Sequence, residues 1–327
     1  MGVLNVTPDS FSDGGRYVAP GDAIERARQM IAEGVDVVDV GGESTRPGAT
    51  PVPAEEELRR VVPVVEALAG HVRVSVDTFK PAVARAAVDA GATLLNDVSG
   101  TLWALAAELS VGWVGMHMRG TPRTMQDLTE YDDVVREVRD HLMDRADRAA
   151  AAGVKEIWLD PGIGFAKTAA QNLALLGAVD ELVAEAGRHG ARVLVGTSRK
   201  GFLGRLPVRP PVTGAAGGAA TTPVADPIRH ATSTGELPGA LDRFEPSLAT
   251  AVWAMAAGVQ MVRVHDVAPT VHAAKLVGGS DARNDADDPS SASSASSPTS
   301  ASSPTSASSA TSATSATSAT SARNTAA

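Results

Sequence analysis

The sequence contains no cysteine, which excludes disulfide bonds and thiolate metal sites and favours a cytoplasmic location. No stretch approaches the roughly 20 consecutive apolar residues that cross a membrane. The N-terminus also lacks the charged segment and apolar core of a secretory signal. We therefore expect neither a signal peptide nor membrane binding.

Positive charge is in deficit, because 29 Lys and Arg residues are set against 38 Asp and Glu residues, for a net charge of −9. A net negative charge argues against non-specific binding to nucleic acid. Any site for an anionic ligand must therefore be a local cluster of cations rather than a general property of the surface.

The C-terminal segment is poor in apolar residues. From about Asp281 the chain becomes a repeat of Ser, Ala, Thr and Pro that ends in SATSATSATSARNTAA. This composition offers little apolar surface to offset the entropy of an ordered chain, so residues 281–327 are predicted to form a disordered tail. Residues 1–280 remain, which is within the usual size of one barrel domain.

Strand–helix units are clearest in residues 72–100, where two apolar strands flank one helix. The first strand is a β-branched run that stops at Asp77, and the second strand stops at Asn96. Pro81 and Gly91 are placed to open and end the helix between them. We count eight such units, and eight right-handed units close into a (β/α)8 barrel whose ligands bind at the carboxyl ends of the strands.

Some segments of the predicted barrel carry specific expectations. The first strand begins at the initial Met, so we expect either that a few upstream strand residues are missing or that the start is misassigned. Residues 172–188 are predicted as one helix, residues 261–264 as the eighth strand and residues 268–277 as the last helix. Residues 207–243, rich in Gly, Pro, Ala and Thr, are predicted to be a flexible insertion between strand seven and its helix, which either contacts a partner or is neutral.

Polar side chains stand at nearly every predicted strand end. They are Asn5, Glu43, Ser44, Asp77, Asn96, His117, Asp160, Lys200, Arg263 and His265. Asp77 and Asn96, taken alone, could simply cap the helices or turns that follow them. Capping does not explain the cations, because a positive charge at a helix N-terminus opposes the helix dipole. We therefore expect these side chains to form one rim.

The rim divides by charge into two groups. Three residues offer acceptors to the amino and ring N–H groups of a flat heterocycle, namely Asp77, Asn96 and Asp160. Four residues suit a phosphate or diphosphate, namely Lys200, Arg263, His265 and Asn5. Arg263 and His265 alternate along the predicted last strand, so both are expected to point to the same side.

The apolar residues near the rim have two interpretations. Val98, Met116 and Phe165 could form walls against a bound ring, although packing at the top of the barrel explains each of them almost as well. Phe11 lies in a polar loop without a nearby core, so it is either a packing residue or a ligand contact.

Seven motifs in this order resemble those of the dihydropteroate synthase family. Two polar loops, NVTPDSFSDGG at residues 5–15 and GESTRPG at residues 42–48, resemble its signature loops. The other five are SVDT (75–78), ND (96–97), DPGIGF (160–165), SRK (198–200) and RVH (263–265). The resemblance covers roughly residues 1–278, and the start, the insertion and the tail depart from it.

The resemblance implies a transferase of folate biosynthesis that condenses (7,8-dihydropterin-6-yl)methyl diphosphate with 4-aminobenzoate to give 7,8-dihydropteroate and diphosphate. It also implies Mg²⁺ as a cofactor, bound at Asn5, and a homodimer. No nucleophilic side chain is required for this chemistry, in keeping with the absence of cysteine and of a convincing Ser–His pair in the sequence.

The resemblance further implies a role for each matching residue. The pterin would be held by Asp77, Asn96, Val98, Met116, Asp160, Phe165, Gly196 and Lys200. The diphosphate would be held by Asn5, Arg263 and His265, and the aminobenzoate pocket would be lined by Phe11, Thr45, Arg46, Pro47 and Ser198. The catalytic residues would be Asn5, Asp13, Lys200, Arg263 and His265.

Two alternatives remain open from the sequence. A pterin-dependent methyltransferase would share the acceptor residues, but the loops at residues 5–15 and 44–48 argue against it. A non-catalytic pterin-binding paralogue is opposed by the presence of Lys200, Arg263 and His265.

Overall fold

A computed structural model of the protein describes residues 1–7, 20–45, 48–205 and 243–286. The strands are β1 (Gly2–Asn5), β2 (Val37–Gly41), β3 (Arg73–Asp77), β4 (Leu94–Asp97), β5 (Gly112–Met116), β6 (Ile157–Asp160), β7 (Arg192–Val195) and β8 (Met261–Val262). The helices are α1 (Pro20–Ala32), α2 (Ala54–Leu68), α3 (Pro81–Asp89), α4 (Trp103–Glu108), α5 (Val134–Ala152), α6 (Ala169–Gly177), α7 (Val179–Arg188), α8 (Phe244–Ala256) and α9 (Val267–Ala286).

The strands form one parallel sheet in chain order, from β1 to β8. The sheet closes on itself, because the Val3 N–H donates to the Val264 carbonyl at 2.9 Å and the Val264 N–H donates to the Met1 carbonyl at 3.0 Å. Crossover helices between successive strands lie outside the sheet, as parallel pairing requires. The predicted (β/α)8 barrel is confirmed.

Two apolar layers stabilise the barrel. The larger layer lies between the sheet and the helices and includes Val61, Val65 and Leu142, all fully buried. The smaller layer fills the barrel interior and consists of Met1, Val37, Leu94, Val114, Trp158 and Leu194. Burial of these side chains removes apolar surface from water, and each buried side chain contributes about 1.5–3 kcal/mol. After Val37, Leu94 and Trp158, the next inward positions towards the carboxyl ends are polar and contribute to the site, namely Asp39, Asn96 and Asp160.

The structure differs from the predicted helices in two places. The helix predicted over residues 172–188 is two helices, because Ala178 leaves the helical region (φ −111°, ψ 20°) directly after Gly177. A capping box between Thr168 and Gln171 starts the first of them earlier than predicted. The last helix, α9, continues to Ala286, past residue 281, where the tail was predicted to begin.

The eighth strand is shorter than predicted and ends at Val262. The Arg263 N–H still donates to the Val195 carbonyl at 2.9 Å, but the His265 N–H donates to the Ser198 hydroxyl at 3.1 Å instead of continuing the ladder. Val264 nevertheless forms a parallel bridge with Gly2, so the predicted placement of Arg263 and His265 on one side stays a prediction. Within the described ranges, no helix combines the length and apolar character needed to span a membrane.

Candidate active site

Arg263 lies at the centre of the polar end of the barrel. Its Nε donates to Asp39 Oδ2 at 2.6 Å, and its Nη2 donates to Asp77 Oδ2 at 2.8 Å. Asn96 Nδ2 donates to the same Asp39 oxygen at 2.9 Å. Side chains from β2, β3, β4 and the segment after β8 therefore meet in one hydrogen-bonded group.

Burial dominates the electrostatics of this group. It raises the pKa of Asp77, and the nearby Asp39 and Glu57 carboxylates raise it further, while Arg263 opposes the shift. Burial acts to lower the pKa of Arg263, but Asp39 and Asp77 outweigh it and raise that pKa. The guanidinium therefore stays charged, and its charge is shared between two carboxylates.

A second group lies at the end of β6. The Asp160 carboxylate accepts the Gly162 N–H at 2.7 Å, and Lys200 Nζ lies 3.9 Å from the centre of the Phe165 ring. Burial raises the pKa of Asp160, against the Gly162 N–H and the Lys200 charge. Burial also lowers the pKa of Lys200 to about 8, against the opposing effect of Asp160. A cation thus lies over an aromatic face next to a buried carboxylate.

The structure brings Ser198 and His265 together, with Ser198 Oγ 3.0 Å from His265 Nδ1. This contact shows that the prediction of no convincing Ser–His pair is wrong. The pair was missed because the two residues lie 67 positions apart in the sequence. Burial lowers the pKa of His265 to about 3, with Arg263 and Arg199 adding to the shift. Asp266 pairs with Arg199 at 2.7 Å and so does not orient the imidazole as a triad carboxylate would.

Asn5 and Gly196 lie beside this group. A methyl group at Gly41 would be 3.6 Å from Asn5 Oδ1 and 3.7 Å from Asp77 Oδ2, so Asn5 borders the carboxylates. A methyl group at Gly196 would be 3.6 Å from Arg263 Cβ. A Cβ at Gly41 or Gly196 would therefore be in ordinary van der Waals contact with residues of this group.

The remaining predicted residues divide between described and undescribed positions. Val98 and Met116 are buried at the ends of β4 and β5, and Thr45 is half-buried after β2. Four predicted loop residues lie outside the described residues, namely Phe11, Asp13, Arg46 and Pro47. Residues 206–242, which hold most of the predicted insertion, and residues 287–327 of the predicted tail also lie outside them.

Capping, the alternative considered for Asp77 and Asn96, describes the role of their neighbour Asp97. Asp97 accepts the N–H groups of Thr101 and Leu102 at 2.7 and 2.6 Å and the indole N–H of Trp113 at 3.1 Å. Asp97 therefore organises the turn after β4. Asn96 on the same strand instead contacts Asp39, so it belongs to the rim.

The predicted separation of the rim into acceptors and cations is not what the structure contains. Arg263 lies between Asp39 and Asp77, and Lys200 lies within electrostatic reach of both Asp77 and Asp160. Opposite charges are interleaved because each buried charge needs a partner.

Two residues of the site were missed from the sequence. Asp39 is fully buried in β2, and the signal was available, since one carboxylate interrupts an otherwise apolar strand. Lys167 is buried after β6, where its Nζ donates to the Gly162 and Phe165 carbonyls at 3.0 Å and lies 3.0 Å from His117 Nδ1. Nothing in its local sequence distinguishes Lys167 from a surface lysine.

The described residues contain no group of three His, Asp or Glu side chains arranged to hold a metal. Two hard oxygen donors are nevertheless available: the Asn5 amide oxygen and Asp39 Oδ1, a buried atom that lacks a hydrogen-bond partner within the described part of the chain. This donor set fits Mg²⁺ only if the bound substrate and water supply the other oxygens, as is usual for that ion.

Comparisons with known proteins identify the family. The family described as "Pterin binding enzyme" matches residues 1–265. The dihydropteroate synthase of Mycobacterium leprae (strain TN) is 45% identical over 289 residues, which cover 85% of this chain and 92% of that protein.

Two solved structures of the Xanthomonas albilineans dihydropteroate synthase share the fold. The structure with 4-aminobenzoic acid is 40% identical with a TM-score of 0.70, over 86% of this chain and 92% of that chain. The structure in complex with 7,8-dihydropteroate is 37% identical with a TM-score of 0.68, over the same shares. The resemblance inferred from the seven motifs is confirmed, and the chain belongs to the pterin binding enzymes and, within them, to the dihydropteroate synthases.

Proposed function

We propose that the protein condenses (7,8-dihydropterin-6-yl)methyl diphosphate with 4-aminobenzoate, forming 7,8-dihydropteroate and diphosphate for folate synthesis. The observation that carries the proposal is the convergence of Asp77, Asn96 and Asp160 with Lys200 and Arg263 at one end of the barrel. Relatives solved with 4-aminobenzoic acid and with 7,8-dihydropteroate support the choice of substrates.

The pterin end of the substrate would bind between the two polar groups. Asp160 has one oxygen engaged by the Gly162 N–H, which leaves its other oxygen to accept from the amino and ring N–H groups. Lys200 over the Phe165 ring would donate to an acceptor on the opposite edge. Asp77 and Asn96 would complete the recognition, and Val98, Met116 and Gly196 would line the ring.

The diphosphate end would bind at Arg263, His265 and Asn5. His265 is neutral near pH 7 because its pKa lies at about 3. Ser198 Oγ accepts the His265 backbone N–H, and its own proton is free to be donated to Nδ1 at 3.0 Å. This assignment places the ring proton on Nε2, so His265 would offer the leaving group a hydrogen bond rather than a charge.

The reaction breaks the bond between the pterin methylene carbon and the diphosphate oxygen, and the diphosphate departs with the electron pair. The aniline nitrogen forms the new C–N bond and then loses a proton. Arg263 would stabilise the leaving anion, while Asp77 and Asp160 would favour positive charge on the pterin. Positioning of the weakly nucleophilic aniline matters more than its deprotonation.

Mg²⁺ would be held by Asn5 together with substrate oxygens, and when bound it neutralises charge on the diphosphate.

The second substrate would bind against Ser198 and Thr45, with Phe11, Arg46 and Pro47 completing the pocket and Asp13 assisting from the first loop. The family resemblance supports these assignments, and it equally supports a cytoplasmic homodimer, which light scattering and cell fractionation would test.

The deciding experiment is an assay of diphosphate release from the pterin substrate with and without 4-aminobenzoate, with and without Mg²⁺. We expect release that depends on 4-aminobenzoate and rescue of a folate-requiring strain. Pterin binding without release would identify a non-catalytic paralogue. Methyl transfer in place of diphosphate release would identify the methyltransferase alternative.

A further inference from the structure

Three elements next to the site meet at Lys80, which lies between β3 and α3. Its Nζ donates to Glu43, in the loop after β2, and to Glu57 on α2. The Lys80, Glu43 and Glu57 side chains are 18%, 9% and 1% exposed. One cation thus ties the loop after β2 to the helix that follows it and to the end of the neighbouring strand.

The backbone at the base of this loop is pressed against α2. A methyl group at Gly42 would lie 2.7 Å from Val61 Cγ2 and 2.9 Å from Glu57 Cγ, so only a residue without a side chain fits without displacement. The Gly42 carbonyl also accepts from Arg60 Nη1 at 2.9 Å. The start of the loop is therefore fixed by close packing, one hydrogen bond and the Lys80 ion pairs.

The far side of the loop has its own attachment. The Gly48 N–H donates to the carbonyl of Pro122, in the segment after β5, at 3.1 Å. The attachments at Gly42–Glu43 and at Gly48 therefore lie on either side of Thr45, which the family resemblance assigns to the pocket of the second substrate.

The cluster is not the arrangement that stability alone favours. Two carboxylates share one ammonium group at a buried position, and among the described residues Glu57 Oε1 has no hydrogen-bond partner. Apolar side chains of similar volume often stabilise such positions as well or better. The charges instead give a specific geometry, and the Glu57 carboxylate lies close enough to Asp77 to raise the pKa of that site residue.

We propose that Lys80 is a positioning residue which, through Glu43 and Glu57, sets the conformation of residues 42–45, including Thr45 of the proposed pocket, and thereby the binding of 4-aminobenzoate. This inference rests on the proposed function for the identity of the ligand. Its geometric part, the control of the loop by Lys80, rests on the contacts alone.

The test compares Glu43→Gln, Lys80→Met and Lys80→Arg in the full-length protein. Glu43→Gln removes one charge at nearly constant shape and serves if Lys80→Met fails to fold. Arg85→Met is the matched control, because Arg85 forms a two-bond ion pair with Glu108 on the neighbouring helices, away from the loop and exposed. The readouts are KM for each substrate, kcat, melting temperature and hydrogen exchange in the peptide that covers residues 42–45.

We expect Glu43→Gln and Lys80→Met to raise KM for 4-aminobenzoate by about 10- to 100-fold, since small displacements of positioning groups have effects of this size. KM for the pterin substrate should be unchanged, Lys80→Arg should restore most of the loss, and exchange at residues 42–45 should be faster. The double variant Glu43→Gln/Lys80→Met should raise KM for 4-aminobenzoate no more than Lys80→Met alone, because both changes break the same ion pair.

The inference would be overturned if KM rose equally for both substrates in proportion to the decrease in melting temperature, because that result would indicate a purely structural role. An unchanged KM for 4-aminobenzoate together with unchanged exchange would also overturn it. A wild type without 4-aminobenzoate-dependent activity would reject the proposed function instead, and the inference would then be decided by the exchange rates.

Discussion

The loops after β2 and β6 are each held by a lysine, but the half-buried Lys80 and the buried Lys167 contact different kinds of group. Lys80 donates to two carboxylates, which raise its pKa although burial acts to lower it. Lys167 donates to three backbone carbonyls, those of His117, Gly162 and Phe165, and also contacts His117 Nδ1. Burial lowers its pKa to about 7. Charged acceptors favour the protonated form of Lys80, whereas deeper burial against neutral acceptors favours loss of the proton at Lys167.

The difference matters for function because the loops contribute to different parts of the site. The loop after β6 carries Asp160 and Phe165, and Gly162 within it has φ of +66°, with the His117 carbonyl only 1.9 Å from where a Cβ would lie. That loop is held by close backbone packing and neutral acceptors. The loop after β2 is also closely packed at Gly42, but its lysine forms ion pairs, so we expect the two loops to respond to different perturbations.

The largest effect should come from removing the carboxylate that the β6 loop presents. Asp160→Ala should weaken binding of a pterin analogue by about 2–5 kcal/mol, because buried donors on the ligand lose their partner. Titration calorimetry measures this, with Glu108→Gln, an exposed carboxylate, as control. Near-normal affinity in Asp160→Ala would remove Asp160 from the pterin site.

A smaller but distinct effect is expected from Lys167→Met. This change leaves the Gly162 and Phe165 carbonyls without their donor, at about 1–3 kcal/mol for a buried unsatisfied group. We expect lower affinity for the pterin analogue with KM for 4-aminobenzoate unaffected, the reverse of the Lys80 variants. Lys155→Met, on the exposed side of the barrel before β6, is the control and should change neither. A rise in the 4-aminobenzoate KM alone would contradict the division of labour between the loops.

The effect most specific to the comparison is in pH dependence. The pKa of Lys167 is lowered from the ordinary 10.5 to about 7, so in that window the unfolded chain holds more protons there than the folded chain. The free energy of unfolding of the wild type, relative to Lys167→Met, should therefore rise as the pH increases from 7 towards 10.5. Because Lys80 has a raised pKa, the difference between the wild type and Lys80→Met should stay flat over this window.

Denaturant melts of the three proteins at several pH values would measure these slopes. A flat difference for Lys167→Met would show that Lys167 is protonated throughout. A strong pH dependence of the difference between the wild type and Lys80→Met would show that Glu43 and Glu57 do not keep Lys80 protonated.

The predictable part of the site was the part that local pattern specifies. Asp77, Asn96 and Asp160 lie where apolar runs end, so their position at one end of a parallel barrel follows from the strand periodicity. The hydrogen-bond and ion-pair partners of those residues could not be predicted from the strand periodicity. Arg263 is 224 residues from Asp39 and 186 residues from Asp77, and no local pattern joins them.

The sequence by itself determined the succession of strands and helices and the polar character of the strand ends, because periodicity, proline and glycine act over a few neighbouring residues. Only the tertiary structure decided which charges meet: Arg263 with Asp39 and Asp77, His265 with Ser198, and Lys80 with Glu43 and Glu57. Barrel closure brings distant strand ends together, and in that buried environment each charge must find a partner or be neutralised, by loss of a proton from a lysine or gain of one by a carboxylate.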